Sequence, residues 1–215
     1  LQEGLKWVSG GNEFRVNVTS NWCATPSVCA GSDGGFTIAW TERAAVRTNG
    51  WDIYVRSFRA DGRESVPATR VNTFTYGDQF TPRLCRLGAE QLVVWSSMGQ
   101  DGSEEGVFAR LLSRGVPAGS EFQVNTSTAS KQLHPVVASD GNSRLVVAWA
   151  SYVGETGFDI LGQRYSGNGA ELPEPAPPFV AALSQSRLSV AWPELAGYPL
   201  QHYEIYTDGQ ATPVT

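Results

Sequence analysis

Apolar positions along the chain fall into short runs separated by turn signals, a pattern that predicts strands rather than helices. The segments FTIAW (ending at Trp40), QLVVW (ending at Trp95) and RLVVAW (ending at Trp149) are dense in β-branched and large apolar residues. Strands covered on both faces carry such near-continuous runs. DIYVRSF (Asp52–Phe58) alternates instead, with Ile53, Val55 and Ser57 opposite Tyr54, Arg56 and Phe58. Turns are marked by Asp33-Gly34, Asp61-Gly62, Asp101-Gly102 and Asp140-Gly141. No stretch sustains a helical period with caps, so the pattern predicts an all-β chain with helix near zero.

The runs recur as a unit. The first copy reads EFRVN (Glu13–Asn17), a segment from Pro26 to Ala30, GGFTIAW and DIYVRSF. The second reads RVN (Arg70–Asn72), Pro82 to Arg86, QLVVW and GVFARLL (Gly106–Leu112). The third reads EFQVN (Glu121–Asn125), Pro135 to Ala138, RLVVAW and DILGQRY (Asp159–Tyr165). Successive tryptophans lie 55 and 54 residues apart, and successive Val-Asn pairs 55 and 53. Three landmarks sharing one period mark a repeat of about four short strands per copy, the sequence signature of a propeller blade. Residues 1–12 read as the end of a preceding copy.

The pattern E-F-x-V-N, P-x-V-A, D-G-x-F-V-V-A-W and D-I-x-x-Q-R-F resembles β-propeller-type repeat arrays of large extracellular and surface proteins. The resemblance covers roughly residues 13–172 and implies three blades of an incomplete propeller with an adhesive or structural role. The second copy departs from it, with Leu111-Leu112 where the third has Arg164-Tyr165.

Residues 173–178 (PEPAPP) form a proline-rich linker expected to be extended. After it, residues 179–215 alternate as half-buried strands: Phe179–Leu183, Arg187–Trp192 and Gln201–Tyr206. These resemble the opening strands of a fibronectin type III sandwich, with Trp192, Tyr203 and Ile205 at its core positions. Such a sandwich needs about seven strands, so this part is expected to be a partial domain of a longer polypeptide.

Composition narrows the function classes. Sixteen basic and 21 acidic residues give a net charge of −5 with no basic block, which argues against nucleic acid and anionic membranes as partners. No apolar run is long enough to span a bilayer. There is no G-x-S-x-G, no H-E-x-x-H and no P-loop. The two histidines, His134 and His202, read as packing or surface residues. Asp33–Thr37 matches the aspartate-box turn of sialidases only in part, and Asp101–Glu105 lacks the ladder of a calcium loop. No cofactor or metal is expected.

Four sets of residues stand out as candidate sites. Asn17-Val-Thr19 and Asn125-Thr-Ser127 are both N-glycosylation sequons at one repeat position, although the same asparagines could instead close the turn that ends a strand. Cys23 and Cys29, six residues apart, are candidates for a local disulfide across a turn. Cys85 stands at the repeat position of Cys29 and reads as a small buried residue. Trp22, Trp51 and Tyr76 lie in loop-like stretches and are candidates for contact with glycans or a protein partner.

These observations lead to the expectation of a non-catalytic structural or adhesive segment of an extracellular or cell-surface protein. Its partners are then neighbouring domains or other subunits of a surface assembly. The alternative expectation is a carbohydrate-binding, lectin-like propeller.

Overall fold

The repeat folds as antiparallel sheets whose strands follow chain order, the first two each closed by a last strand that runs into the Val-Asn landmark opening the next copy. The computed structural model describes residues 11–44, 50–152, 154, 157–166, 170–171, 179–184 and 187–191. The first sheet is β1 (Trp22–Ala30), β2 (Phe36–Arg43), β3 (Asp52–Phe58) and β4 (Glu64–Arg70). The second is β5 (Gln79–Leu87), β6 (Glu90–Met98), β7 (Glu105–Ser113) and β8 (Val116–Gln123). The third is β9 (Gln132–Ser139), β10 (Arg144–Tyr152), β11 (Phe158–Ser166) and the two-residue β12 (Ala170–Glu171). The chain is all-β and propeller-like, with the first strands β1, β5 and β9 packed against one another.

A separate unit, Leu172–Thr215, contains the antiparallel hairpin β13 (Phe179–Ser184) and β14 (Arg187–Ala191). The proline linker, Trp192 and the strand expected at Gln201–Tyr206 lie outside the described residues, as do residues 1–10.

Strand prolines all sit at sheet edges, where a missing N–H breaks no ladder. Pro26, Pro82 and Pro135 are on the first strands, and Pro67 and Pro117 on the last. Before each of the three inner prolines the backbone turns left-handed, at Thr25 (φ 49), Thr81 (φ 52) and His134 (φ 56). The ladder skips at the same place in each sheet, as it does at a β-bulge.

The core follows from two-faced sheets. One face of each middle strand carries the repeat tryptophan, and the other carries small and branched residues. Val93, Trp95, Phe108 and Leu112 of the second sheet pack on Ala39, Ile53 and Val55 of the first. Leu145, Val147, Trp149 and Tyr165 of the third pack on Leu92, Val94, Val107 and Ala109 of the second. The tryptophan faces of the second and third sheets therefore seat on the opposite face of the sheet before each.

A buried asparagine joins each sheet to the next. Asn72 Oδ1 accepts from Ile53 N at 2.7 Å, and its Nδ2 donates to Asp52, to the Phe74 carbonyl and to Gln79 on β5. Asn125 repeats this with Val107 N, Asp101, the Ser127 carbonyl and Gln132 on β9. Buried groups left without partners each cost about 1–3 kcal/mol. Asn72→Ala and Asn125→Ala should each lower unfolding stability by about 2–4 kcal/mol in urea titrations. Asn17→Ala, at a half-buried site where Nδ2 donates to the Thr19 carbonyl, should cost less than about 1 kcal/mol.

Candidate functional site

The repeat is broken at one end of the first sheet. Near its end β2 carries Trp40-Thr41-Glu42, where the second and third copies have Trp95-Ser96-Ser97 and Trp149-Ala150-Ser151. In the β2–β3 register Glu42 stands directly across from Asp52. Residues paired in this way project from one face with Cα atoms about 4.5–5.5 Å apart. Both carboxylates are buried, at 4% and 8% exposure.

Like charges opposite one another destabilise a sheet, so this pair needs donors, and it has them. Glu42 Oε1 accepts from Thr19 Oγ1 and Asn21 Nδ2, each at 2.8 Å. Its Oε2 accepts from Trp40 Nε1 at 2.8 Å. Asp52 Oδ1 accepts from Asn72 Nδ2 at 2.6 Å, and its Oδ2 lies 3.7 Å from Arg70 Nη1. The indole nitrogens at the same repeat position, those of Trp95 and Trp149, have no hydrogen-bond partner. Glu42 thus supplies the first sheet with an acceptor that the other two lack.

Tyr54 stacks on Trp40, with ring centroids 6.1 Å apart. Burial pushes its phenol up, and the negative charges of Asp52 and Glu42 push it further. Both carboxylates therefore act on the Trp40–Tyr54 face. That face continues as an apolar groove of about 550 Å³ lined by Phe14, Val28, Phe36, Ile38 and Trp40, among others.

The three aromatic residues singled out from sequence lie at this same end of the strands. Trp22 opens β1, is 63% exposed, and precedes Cys23, which pairs with Glu42 in register. Trp51 immediately precedes Asp52; its N–H donates to Asp78 Oδ1 at 3.1 Å and its carbonyl accepts from Gln79 N at 2.8 Å. Tyr76 is 77% exposed, and its carbonyl accepts from Gln79 Nε2. Sequence reasoning missed Glu42 and Asp52. The signal was present as a carboxylate where the other copies carry serine, but a departure from a repeat is visible only once the copies are aligned on Trp40.

Two expected modifications are corrected. Cys23, Cys29 and Cys85 are all free thiols. Cys23 and Cys29 belong to one strand, β1, and six residues of strand span about 20 Å, whereas a disulfide needs Cα atoms within about 7 Å. The intervening turn read from sequence is only a bulge. Asn125 is 3% exposed, and the Nδ2 atom that a glycan would occupy donates to three acceptors. It is a structural asparagine, and Asn17 is half-buried.

The remaining candidates serve turns. Asp33 Oδ1 accepts from Gly35 N, and Asp101 Oδ1 from Ser103 N. His134 is exposed beside the bulge proline of β9, while His202 lies outside the described residues. Among the described residues, no three His, Cys, Asp or Glu side chains converge as metal ligands.

No family model and no curated protein matches the chain. Solved structures do. An α-L-arabinofuranosidase from Lactobacillus brevis superposes with a TM-score of 0.50 at 12% identity, over 73% of this chain and 57% of its own. An α-L-arabinanase from Penicillium chrysogenum, complexed with arabinobiose, gives 0.46 at 15% identity over 71% and 44%. An endo-arabinase from Bacteroides thetaiotaomicron gives 0.44 at 12% identity over 78% and 68%. The chain spans little more than half the length of the arabinofuranosidase.

The likeness to the arabinofuranosidase shows the fold, and because that solved protein is an enzyme it overturns the expectation of a non-enzymatic adhesive segment with a lectin-like alternative. The absence of hydrolase motifs from the sequence carried no weight, because paired carboxylates have no fixed local spacing.

The thiols give a prediction. Burial pushes the Cys85 thiol up to about 12 from 9.0. A thiol with a raised folded-state pKa favours folding below its unfolded value, and that contribution is lost as pH rises through the folded value. Stability should therefore fall between pH 9 and about 12, and Cys85→Ala should flatten that part of the profile. In alkylation at neutral pH, exposed Cys23 should label first and Cys85 only after unfolding.

Proposed function

We propose that the three sheets are blades of a β-propeller that cleaves glycosidic bonds, with Glu42 and Asp52 as its carboxylate pair. The observation that carries this reading is their pairing across β2 and β3, both buried, at an aromatic-rimmed strand end. Glycoside hydrolysis runs on two carboxyl groups flanking the scissile bond. One protonates the departing oxygen, and the other activates water or attacks the sugar carbon. Water supplies the hydroxyl and proton of the products. Trp22, Trp51 and Tyr76 offer apolar faces on which sugar rings stack.

The resemblance to an arabinofuranosidase directs the substrate toward α-L-arabinofuranosides. The hairpin β13–β14 is proposed as the start of a fibronectin type III module, and the protein as one that meets its polysaccharide outside the cell.

The test is release of 4-nitrophenol from 4-nitrophenyl α-L-arabinofuranoside. The protein should accelerate it, and Glu42→Gln and Asp52→Asn should each lower kcat by about 10²–10⁴-fold while the far-UV spectrum stays native. Release no faster than in buffer, or variants as active as the parent, would contradict the reading.

A further inference from the structure

Repeat positions that are buried in the first two sheets are exposed in the third. Ile53 and Val107 are both 0% exposed, yet Ile160 at the same register position is 75% exposed. Thr37 and Leu92 are 3% and 1% exposed, whereas their counterpart Val146 is 42% exposed. In the first two sheets these positions are covered by the tryptophan face of the sheet that follows. Val146 and Ile160 lie on the corresponding face of β10 and β11, beside an edge-on aromatic pair, Tyr152 and Phe158, with centroids 5.4 Å apart. The third sheet thus ends the stack with an apolar face built like those that are covered.

At the other end of the stack, the tryptophan face of the first sheet lines an apolar groove with Phe36 and Ile38, both half-buried, and with Trp40, which is 4% exposed. The two end faces are the two halves of the contact already made twice inside the molecule.

We propose that a second copy of this chain seats the tryptophan face of its first sheet on the Val146–Ile160 face of the third. The contact continues an established interface, since the same repeat positions meet in it. It is heterologous, with different faces on the two copies, so copies add head to tail and close into a ring if the rotation allows. Exposed apolar patches of this kind mark association surfaces. This inference does not depend on the glycosidase reading.

Sedimentation velocity over a range of concentrations tests it. The 215-residue chain, 23.2 kDa as a monomer, should self-associate as concentration rises. Ile160→Asp should abolish this while leaving the far-UV spectrum intact, because the side chain is already exposed; Val146→Asp should do the same. Ile38→Asp, on the other face, should also yield monomers. An equal mixture of the Ile160→Asp and Ile38→Asp proteins should regain a complex that stops at two copies, since each retains the face the other lacks. A parent chain that stays monomeric at every concentration would overturn the proposal and leave the face to another occupant. An assembly that survives both Ile160→Asp and Val146→Asp would overturn it equally.

Discussion

None of the three four-stranded sheets can stand alone, because each is apolar on both faces. Trp95 is fully buried only because the first sheet presents Ala39, Ile53 and Val55 to it. Leu92 and Val94 on the reverse of the same strand are buried only because the third sheet presents Val147 and Trp149. Apolar area removed from water is worth roughly 25 cal/mol per Å², and most of it here lies between sheets rather than within them. Stability in such a stack is close to a sum of nearest-neighbour interfaces. The end faces are therefore the places where the stack is open to extension.

The same constraint explains where chemistry can be placed. Within the stack, a middle strand carries small, branched or aromatic side chains, as β6 does from Leu92 to Ser97. At strand ends, beyond the packed layer, a repeat position can take up a negative charge. Glu42 stands one such step past Trp40 and pairs with Asp52 at the mouth of β3. Polar donors from the segment before β1, Thr19 and Asn21, make that burial tolerable. The buried asparagines occupy the same layer of the structure, where they tie the end of one sheet to the first strand of the next.

The all-β class, the three-fold repeat and most strand positions were legible in sequence because they rest on local periodicity. Trp40, Trp95 and Trp149 set the register of the copies, and the structure places them at one position of three sheets. What was not legible depends on distant partners. Asn125 satisfies a sequon, yet its burial comes from Asp101 and Gln132, elsewhere in the chain. Cys23 and Cys29 are close in number but separated by the straightness of β1. The Glu42–Asp52 pair spans nine intervening residues and is created by strand register, which no short motif encodes. Trp22, Trp51 and Tyr76 were found because loop aromatics are conspicuous; their position at one end of the strands, at or just before the starts of β1, β3 and β5, follows from the antiparallel order of the sheets.

The most direct measurement follows the side-chain N–H signals of the seven tryptophans in ¹⁵N–¹H spectra while an arabino-oligosaccharide is added. The account predicts that Trp22, Trp51 and Trp40 shift with the sugar, the last through its bond to Glu42, while Trp95 and Trp149 stay in place within the stack. Signals that never move, or shifts confined to Trp95 and Trp149, would contradict a glycoside site at this end of the first sheet.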